Sequence, residues 1–516
     1  MPLTRDLLER GYFPIELPPP FTTVHLANAL TRPAAILPRG FTNHGFRTKP
    51  AFHNQIRSGA LRRRLAIPNP VNYYHTSLFI ERHWPQLQAD GSRSAFSLSK
   101  PILSPGRRAL DRAFNFDELP FHRSNARAAA KFILKTDISR CYPSIYTHSI
   151  PWAIHTKPIA KANKTHALHG NELDTVVRNS QDAQTSGIPI GPDSSYLIAE
   201  IVLNAVDQQI SALGLHSPGF RYMDDYEFGF YTHSDAEQGL AIIQESLNDY
   251  ELALNPKKTR IIQLPEPIEA PWASELRVLP FRPAVRAQHS DLMHYFDRAF
   301  TMAKAEPDEA VLKYAVTRIT SLTVHAANWP FCEGLLAQAL INEPGTIQNV
   351  LRILKQYDAL GYPIEKARLA DTLNLICSAH APLGHGSEVA WALWGCIEFN
   401  LNIQDVAAEK AIDMQDSIVS LVALHARSLG LVSAHVSFAT PQLRMTPADL
   451  KDDQWLLSYE SNIKGWLPSV GVPDHVAAVP EFSFLKGAGV SFYDQALRLG
   501  PRIPPMYVGA MSVVIP

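Results

Sequence analysis

The chain has little cysteine, and the cysteines it has form no pattern. Four are present among 516 residues, and none lies near another at the spacing of a zinc or redox site: Cys141, Cys332, Cys377 and Cys396. They are predicted to be buried thiols in a reducing compartment. No apolar run reaches the length of about 18 residues that a membrane span needs, and the charged start, MPLTRDLLERGYF, argues against a signal peptide. We expect a cytoplasmic protein without a membrane segment.

Net charge is also nearly absent, because 48 Lys and Arg balance 49 Asp and Glu. The balance hides an uneven distribution. Residues 1–150 carry 21 basic against 9 acidic side chains, residues 151–265 carry 8 against 14, and residues 266–516 carry 19 against 26. The basic first part predicts an anionic partner such as a nucleic acid. A solvated basic surface is the plain alternative.

The length exceeds that of one ordinary domain core, so two or three domains are expected. Five of the 20 residues from 264 to 283 are proline, which predicts a connector. We predict a first domain over 1–264, a connector over 265–283, an α-helical domain over 284–430 and a C-terminal extension over 431–516 packed on the helices.

Apolar residues after the connector recur with helical spacing, which predicts successive amphipathic helices. Successive helices of this kind can stack in repeat-like pairs. One such stripe comprises Val311, Leu312, Ala315, Val316, Ile319 and Leu322. Before the connector, strand-like and helix-like segments alternate.

Two adjacent aspartates, Asp224 and Asp225, lie in the stretch RYMDDYEFGF, residues 221–230. The alternation of Tyr226, Phe228 and Phe230 with other residues predicts a strand, and we expect a hairpin whose two-residue turn is Asp224–Asp225. A hydrated turn is the plain interpretation. A metal site is the alternative, and it requires carboxylates elsewhere in the chain.

A further carboxylate is found in KFILKTDISRCYPSIY, residues 131–146, where Asp137 ends a predicted buried strand and Tyr142 follows. Two Mg²⁺ ions that activate phosphoryl transfer need hard oxygen ligands from such carboxylates. A strand-end aspartate beside a hairpin with two more therefore predicts a two-metal polymerase site.

Two other stretches complete the set. QTSGIPIGPDSSYLIAEIVLNAVD, residues 184–207, is a loop rich in Gly and Pro that opens a helix; it suits a surface against a base pair, or is an ordinary loop. LNPKKTRII, residues 254–262, places Lys257 and Lys258 before a strand. Upstream, Ser234-x-x-Glu237 predicts a helix capping box.

In order and spacing these stretches resemble reverse transcriptases. Asp137 with Tyr142 resembles their motif A, Ser186-Gly187 motif B, Tyr222-Met223-Asp224-Asp225 motif C and Lys258 the motif D lysine. RRRLAIPNPVNYY (62–74) and SEVAWALW (387–394) are also similar to the abortive-infection and related defence-associated reverse transcriptases of bacteria. In that branch an α-helical, repeat-like domain follows the polymerase.

The resemblance implies an α+β fold, a right-hand polymerase with palm and fingers, followed by an all-α, HEAT-like repeat domain. It implies an RNA-directed DNA polymerase that holds two Mg²⁺, with Mn²⁺ as an alternative ion. The implied metal set is Asp137, Ile138, Asp224 and Asp225, with Lys258 as a catalytic acid. Tyr142 would exclude a 2′-hydroxyl. The other substrate-binding residues it implies are Arg62, Arg63, Arg64, Ser186, Gly187, Tyr222 and Met223.

The implied partners are dNTPs and nucleic acid, meaning a noncoding RNA template, a DNA product or both, in a homo-oligomer. Templated synthesis and template-independent synthesis primed on a protein tyrosine both remain open. A retron, group II intron-like or other mobile-element enzyme is an alternative. So is a nucleic-acid-binding scaffold with an inactive palm, although all three aspartates are present. The 20 histidines form no HxxxH or HxH pair with nearby carboxylates, which argues against a metal hydrolase.

The usual thumb is not recognisable, because proline-rich sequence follows Ile262 almost at once. Since some element must hold the growing strand against the metals, we expect the helical half to be needed for activity. A fragment of residues 1–282 is therefore expected to be soluble but inactive.

Overall fold

The computed structural model describes residues 2–32, 36–43, 45–57 and 61–500. Eight strands are found in these residues: β1 (Ala51–Ile56), β2 (Arg62–Ile67), β3 (Pro101–Leu103), β4 (Leu110–Arg112), β5 (Phe132–Asp137), β6 (Gly219–Tyr222), β7 (Asp225–Phe230) and β8 (Arg260–Gln263). Twelve helices precede residue 280: α1 (Pro2–Arg10), α2 (Val24–Leu30), α3 (Arg39–Thr42), α4 (Pro70–Asp90), α5 (Leu119–Arg127), α6 (Cys141–Ser144), α7 (Ser149–His155), α8 (Lys157–Ala162), α9 (His169–Asn179), α10 (Asp193–Ala212), α11 (His233–Asn248) and α12 (Pro271–Val278).

Eleven further helices follow within the described residues: α13 (Val285–Ala305), α14 (Val311–Ile319), α15 (Trp329–Asn342), α16 (Ile347–Ala359), α17 (Lys366–His380), α18 (Gly386–Phe399), α19 (Asp405–Asp413), α20 (Ser417–Ser428), α21 (Ala439–Gln442), α22 (Trp455–Ile463) and α23 (Pro480–Gly487). No strand occurs among the described residues from 284 to 500. The predicted helical half is thus found as helices, while a HEAT-like repeat stays a prediction.

A four-stranded antiparallel sheet lies at the centre of the first half, in the order β6-β7-β5-β8. The apolar run that predicted β5 is buried, with Ile133 and Leu134 fully inaccessible. β7 lies where the alternation predicts it, although all its residues after Asp225 are buried. Its Gly229 is needed where helix α5 crosses, because a Cβ atom there would lie 2.0 Å from the carbonyl oxygen of Ala126. Both strands are therefore confirmed.

Helix α11 starts differently from the sequence prediction. Its N-cap is Thr232, whose hydroxyl accepts a hydrogen bond of 3.1 Å from the backbone N–H of Asp235. The predicted capping box from Ser234 to Glu237 is wrong, since the helix already begins at His233. Thr232, just after the end of β7, satisfies a free N–H group from a position two residues before Ser234.

Two large apolar clusters divide the molecule. One surrounds the central sheet and α10, with residues such as Leu134, Leu197 and Phe228. The other combines residues of the N-terminal helices α1–α4 with residues of α12–α23. The first part of the chain therefore shares its core with the helical half, and the predicted domain boundaries stay a prediction.

Aromatic side chains join these distant parts of the chain. The rings of Tyr12 and Tyr73 stack with centroids 4.2 Å apart. The Trp391 indole donates a 2.8 Å hydrogen bond to the carbonyl oxygen of Glu16, and the Trp455 indole donates a 3.1 Å bond to that of Ile67. Each bond leaves a buried indole N–H satisfied, which the helical half alone could not provide.

No helix among the described residues has both the length and the apolar character to cross a membrane.

We expect the fragment of residues 1–282 to be insoluble when expressed alone, contrary to the solubility expected from the sequence. Truncation would expose apolar residues that the helical half now covers, among them Leu8, Tyr12, Leu26 and Val71, and large exposed apolar patches cause aggregation. Centrifugation of lysates measures the outcome. Co-expression with residues 283–516 is the control and should return the fragment to the supernatant. A monodisperse fragment 1–282 would contradict this interpretation.

Candidate active site

Three aspartates meet at one end of the central sheet. Asp137, the last residue of β5, lies directly opposite Asp225, the first residue of β7. The backbone N–H of Ile138 donates a 3.0 Å hydrogen bond to the carbonyl oxygen of Asp224, so the end of β5 is tied to the turn that carries the second aspartate. The structure thereby brings together Asp137, Ile138, Asp224 and Asp225, which are far apart in sequence.

The hairpin turn is displaced by one residue from its predicted position. Tyr222 pairs with Asp225, so the two turn residues are Met223 and Asp224, and Asp225 belongs to the strand. Met223 has φ of 58°, a left-handed conformation that disfavours side chains with a Cβ. The predicted Asp224–Asp225 turn is therefore corrected to Met223–Asp224, and the surroundings must stabilise its backbone.

Arg221 supplies much of this stabilisation. Its side chain is fully buried and contacts two buried carboxylates, Asp207 and Glu200, at 2.9 Å and 2.8 Å. The same guanidinium donates a 2.8 Å hydrogen bond to the carbonyl oxygen of Met223. The hydroxyl of Tyr226 donates to Asp207 at 2.8 Å. The turn is thus fixed to helix α10, which carries both acidic partners.

Lys258 lies between two of the aspartates. Its ammonium donates a hydrogen bond to Oδ2 of Asp137 and lies 3.8 Å from Oδ1 of Asp225. Asn255 donates from Nδ2 to Oδ1 of Asp137 at 3.0 Å. Every oxygen of the Asp137 carboxylate therefore has a donor, and a positive charge already bridges the pair.

The electrostatics of the cluster favour a bound cation. Burial, and next the charge of Asp137, raise the pKa of Asp224. Desolvation within the site, and next the charge of Asp224, raise the pKa of Asp225, although 63% of its side chain is exposed. Carboxylates that disfavour each other's charge are stabilised by divalent cations, and their oxygens are the ligands that Mg²⁺ prefers. These residues fit a metal site, to which Ile138 can offer only its backbone carbonyl oxygen.

The predicted motif A and motif B residues lie against each other. The N–H of Ile188 donates a 3.0 Å hydrogen bond to the carbonyl oxygen of Tyr142. Gly187 has φ of +84°, and a Cβ there would lie 3.1 Å from the carbonyl oxygen of Pro143. A side chain at this position would be both strained and crowded, while Ser186 beside it is exposed. The loop thus packs against the segment that bears Tyr142.

Tyr222 and Met223 face a neighbouring loop. Nη1 of Arg112 donates a 3.1 Å hydrogen bond to the Tyr222 hydroxyl, and the N–H of Met223 donates a 2.7 Å bond to Oγ of Ser99. The Arg112 charge also lowers the pKa of Tyr142, against burial and neighbouring negative charges that raise it overall. Arg112 is therefore a cation at the margin of the site.

The three predicted arginines of strand β2 have different surroundings. Arg62 pairs with the buried Glu388 of helix α18. The guanidinium of Arg64 lies 3.4 Å from the ring centroid of Phe52, and Arg63 is exposed. By contrast, the charge of Arg57, just after β1, acts on both Asp224 and Asp225, where it opposes the larger effect of burial on their pKa.

Several of these residues could not be predicted from the sequence. Arg221 was within the quoted RYMDDY stretch, yet nothing local indicates that its partners Glu200 and Asp207 lie on α10. Asn255 precedes a proline in the stretch LNPKKTRII, where no local pattern indicates its contact with Asp137. A signal was present for Arg57 alone, since it belongs to the same basic segment as the three arginines of β2.

The chain is similar to known proteins over part of its length. Residues 85–283 match the family model described as "Reverse transcriptase (RNA-dependent DNA polymerase)". None of the curated proteins matches the chain. The solved chains that match include the "Structure of apo telomerase from Candida Tropicalis", at 13% identity and a TM-score of 0.31. That match covers 60% of this chain and 63% of the telomerase chain, so the present chain spans less than two thirds of that protein.

Residues 85–283 are therefore a reverse transcriptase domain. The enzyme class predicted from the sequence, RNA-directed DNA polymerase, is confirmed for these residues by the match, and the central antiparallel sheet fits the right-hand fold of that class. Domains of this family generally use divalent metal ions and bind a nucleic-acid template and product.

The buried ion pairs of Arg221 should dominate the stability of the site. We expect Arg221→Gln to lower the free energy of unfolding by about 3–5 kcal/mol, because it leaves two buried carboxylates without a positive partner. Denaturant titration measures this. The matched control is Arg298→Gln, whose side chain and that of its partner Glu275 are both about two fifths exposed, and it should cost less than about 1 kcal/mol. Equal losses in the two variants would contradict the assignment.

Proposed function

We propose that the chain synthesises DNA by a two-metal mechanism at Asp137, Asp224 and Asp225. The observation that carries this proposal is the Lys258 ammonium between Asp137 and Asp225, since it marks a point where three carboxylates need positive charge. When bound, two Mg²⁺ ions would activate the attacking 3′-oxygen and stabilise the leaving oxygen. Mn²⁺ offers similar chemistry to oxygen ligands.

Lys258 is proposed to give a proton to the leaving pyrophosphate. In the structure its ammonium is held by Asp137, so it must leave that carboxylate before it can face a substrate phosphate. Its side chain is 42% exposed, which leaves it free to move. Lys257 stays the alternative residue for this role.

Other residues are proposed to position the nucleotide. Tyr142 would leave no space for a 2′-hydroxyl, and Ser186, Gly187, Tyr222 and Met223 would border the nascent base pair. Arg57, which is exposed directly after β1, is a further candidate for the triphosphate beside the three arginines of β2.

The remaining arginines differ in how free they are to bind a nucleotide. Arg63 is exposed and could assist Arg57. Arg62 and Arg64 are engaged with Glu388 and Phe52, so a role for them in binding would require these contacts to break.

We further propose that the enzyme acts in bacterial antiphage defence, with the helical half forming a HEAT-like repeat domain. The support is the resemblance of residues 62–74 and 387–394 to the defence-associated branch, together with a helical half that shares its core with the N-terminus. The expected partners are dNTPs, a noncoding RNA template or a DNA product, and further copies of the chain. A retron, intron-like or other mobile-element role is the alternative.

Removal of any one aspartate should abolish DNA synthesis. We expect Asp137→Ala, Asp224→Asn and Asp225→Asn each to lower dNTP incorporation by a factor of about 1,000 or more, because a lost metal ligand acts in the transition state. Incorporation of labelled dNTP in Mg²⁺ is the measurement.

Folding is checked in the same variants by thermal unfolding. We expect Asp224→Asn and Asp225→Asn to unfold no earlier than the wild type, because burial and like charge already raise the pKa of both carboxyls. The matched control is Asp371→Asn on the exposed side of α17, which should retain full incorporation. An active aspartate variant would remove the two-metal assignment.

Tyr142 should determine the choice of sugar. We expect Tyr142→Ala to raise ribonucleotide incorporation relative to deoxynucleotide incorporation by about tenfold or more, a change of about 1.4 kcal/mol in the difference between the two barriers. Tyr142→Phe keeps the ring and should keep the wild-type ratio. Competition between rNTP and dNTP measures both, and an unchanged ratio in Tyr142→Ala would assign the role to another residue.

A further inference from the structure

Three metal-ligating groups converge where the β1–β2 hairpin meets the helical half. They are His380 at the end of α17, and His385 and Glu388 at the start of α18. Nδ1 of His380 lies 2.8 Å from Nδ1 of His385. Oε1 of Glu388 lies 3.9 Å from the first nitrogen and 3.7 Å from the second.

These distances suit a small transition-metal ion. The point equidistant from the three ligand atoms lies about 2 Å from each, as the three edges of their triangle require. Bonds from Zn²⁺ to histidine nitrogen and carboxylate oxygen measure about 2.0–2.2 Å. The side chains of both histidines are about one fifth exposed, so solvent can reach the site and water could complete the coordination.

Arg62 of strand β2 now uses the same lone pairs. Its Nη1 donates to Oε1 of Glu388, and its Nη2 lies 2.7 Å from Nδ1 of His385. A guanidinium can only donate hydrogen bonds, so Nδ1 of His385 must be the unprotonated, lone-pair nitrogen. This is the form of imidazole that binds metals.

A positive charge is required at this position whichever group supplies it. The Glu388 side chain is fully buried, and a buried carboxylate without a cationic partner is strongly destabilising. Arg62 supplies this charge, but at a cost, because its Nε is buried without a hydrogen-bond partner among the described residues. The site therefore resembles a metal centre whose cation is replaced by an arginine.

We propose that His380, His385 and Glu388 bind Zn²⁺ in competition with the guanidinium of Arg62. Two nitrogen donors and one carboxylate oxygen favour Zn²⁺ over Mg²⁺, which prefers oxygen ligands. The ion and the guanidinium use the same lone pairs, so each excludes the other. Zn²⁺ binding would also require the Nδ1 proton that His380 shares with His385 to move to Nε2.

The competition would couple binding of the ion to the attachment of the β1–β2 hairpin. Arg62 ends the paired segment of the β1–β2 hairpin, opposite Ile56. The N–H of Ile56 donates a 3.2 Å hydrogen bond to Oγ of Ser387, the residue before Glu388. Displacement of Arg62 would therefore loosen one attachment of the hairpin to α18. By linkage, whatever holds Arg62 in place weakens Zn²⁺ binding to the same extent.

Zn²⁺ binding by full-length protein without an affinity tag tests the proposal independently of polymerase activity. We expect Arg62→Gln to bind Zn²⁺ about tenfold or more tightly than the wild type, measured by isothermal titration, because the competing cation is gone. Zn²⁺ should also raise the thermal midpoint of Arg62→Gln more than that of the wild type, since the ion supplies the missing charge to Glu388.

Further variants separate this site from unspecific binding. Arg62→Lys keeps a positive charge but lacks the two-pronged donor, so its affinity should be intermediate, and it serves if Arg62→Gln folds poorly. In the Arg62→Gln or Arg62→Lys background, His385→Ala should remove the added affinity, whereas His148→Ala should not, since His148 pairs with Asp174 in the first half of the chain.

The visible spectrum of bound Co²⁺ reports whether the ion has nitrogen ligands. Two results would overturn the proposal. One is that neither Arg62 variant binds Zn²⁺ more tightly than the wild type, and the other is that the added affinity survives His385→Ala.

Discussion

The arrangement of the site depends on a guanidinium that is completely removed from water. Arg221 joins helix α10 to the turn of the β6–β7 hairpin through Glu200, Asp207 and the carbonyl oxygen of Met223. Burial of three charges is costly, and a hydrophobic replacement of similar volume could make the protein more stable. Apolar side chains, however, could not fix the orientation of the turn. The guanidinium has fixed donor positions, and these hold a left-handed Met223 so that Asp224 and Asp225 emerge beside Asp137.

The elements that could be predicted from the sequence are those with a local cause. β5 and β7 follow from an apolar run and from alternation within six residues. The helices after the connector follow from apolar stripes of 3.6-residue period. The order of the aspartates along the chain indicated the site, because strand ends and tight turns are positions where carboxylates gather around metals. These predictions required no knowledge of distant contacts.

The errors and omissions have a non-local cause. The hairpin turn was displaced by one residue because its register is fixed by Arg221 and by the bond from Met223 to Ser99. Arg62 stays a predicted nucleotide-binding residue, but its contact with Glu388, 326 residues further along the chain, could not be predicted from local sequence. His380, His385 and Glu388 escaped notice because a short turn, not one continuous helix, brings them together. Spacing rules for metal sites on a single helix do not detect that arrangement.

The core shared between the first and last parts of the chain has a consequence for biosynthesis. Phe13 packs against Phe492, and Phe21 against Tyr493, so the earliest residues to leave the ribosome wait for nearly the last. At translation rates of about 5–20 residues per second, the delay is roughly half a minute to a minute and a half. During that time an apolar N-terminal segment has no permanent partner, and a nascent-chain chaperone would have to shield it. Vectorial synthesis therefore limits how fast this enzyme can accumulate, whatever its stability once complete.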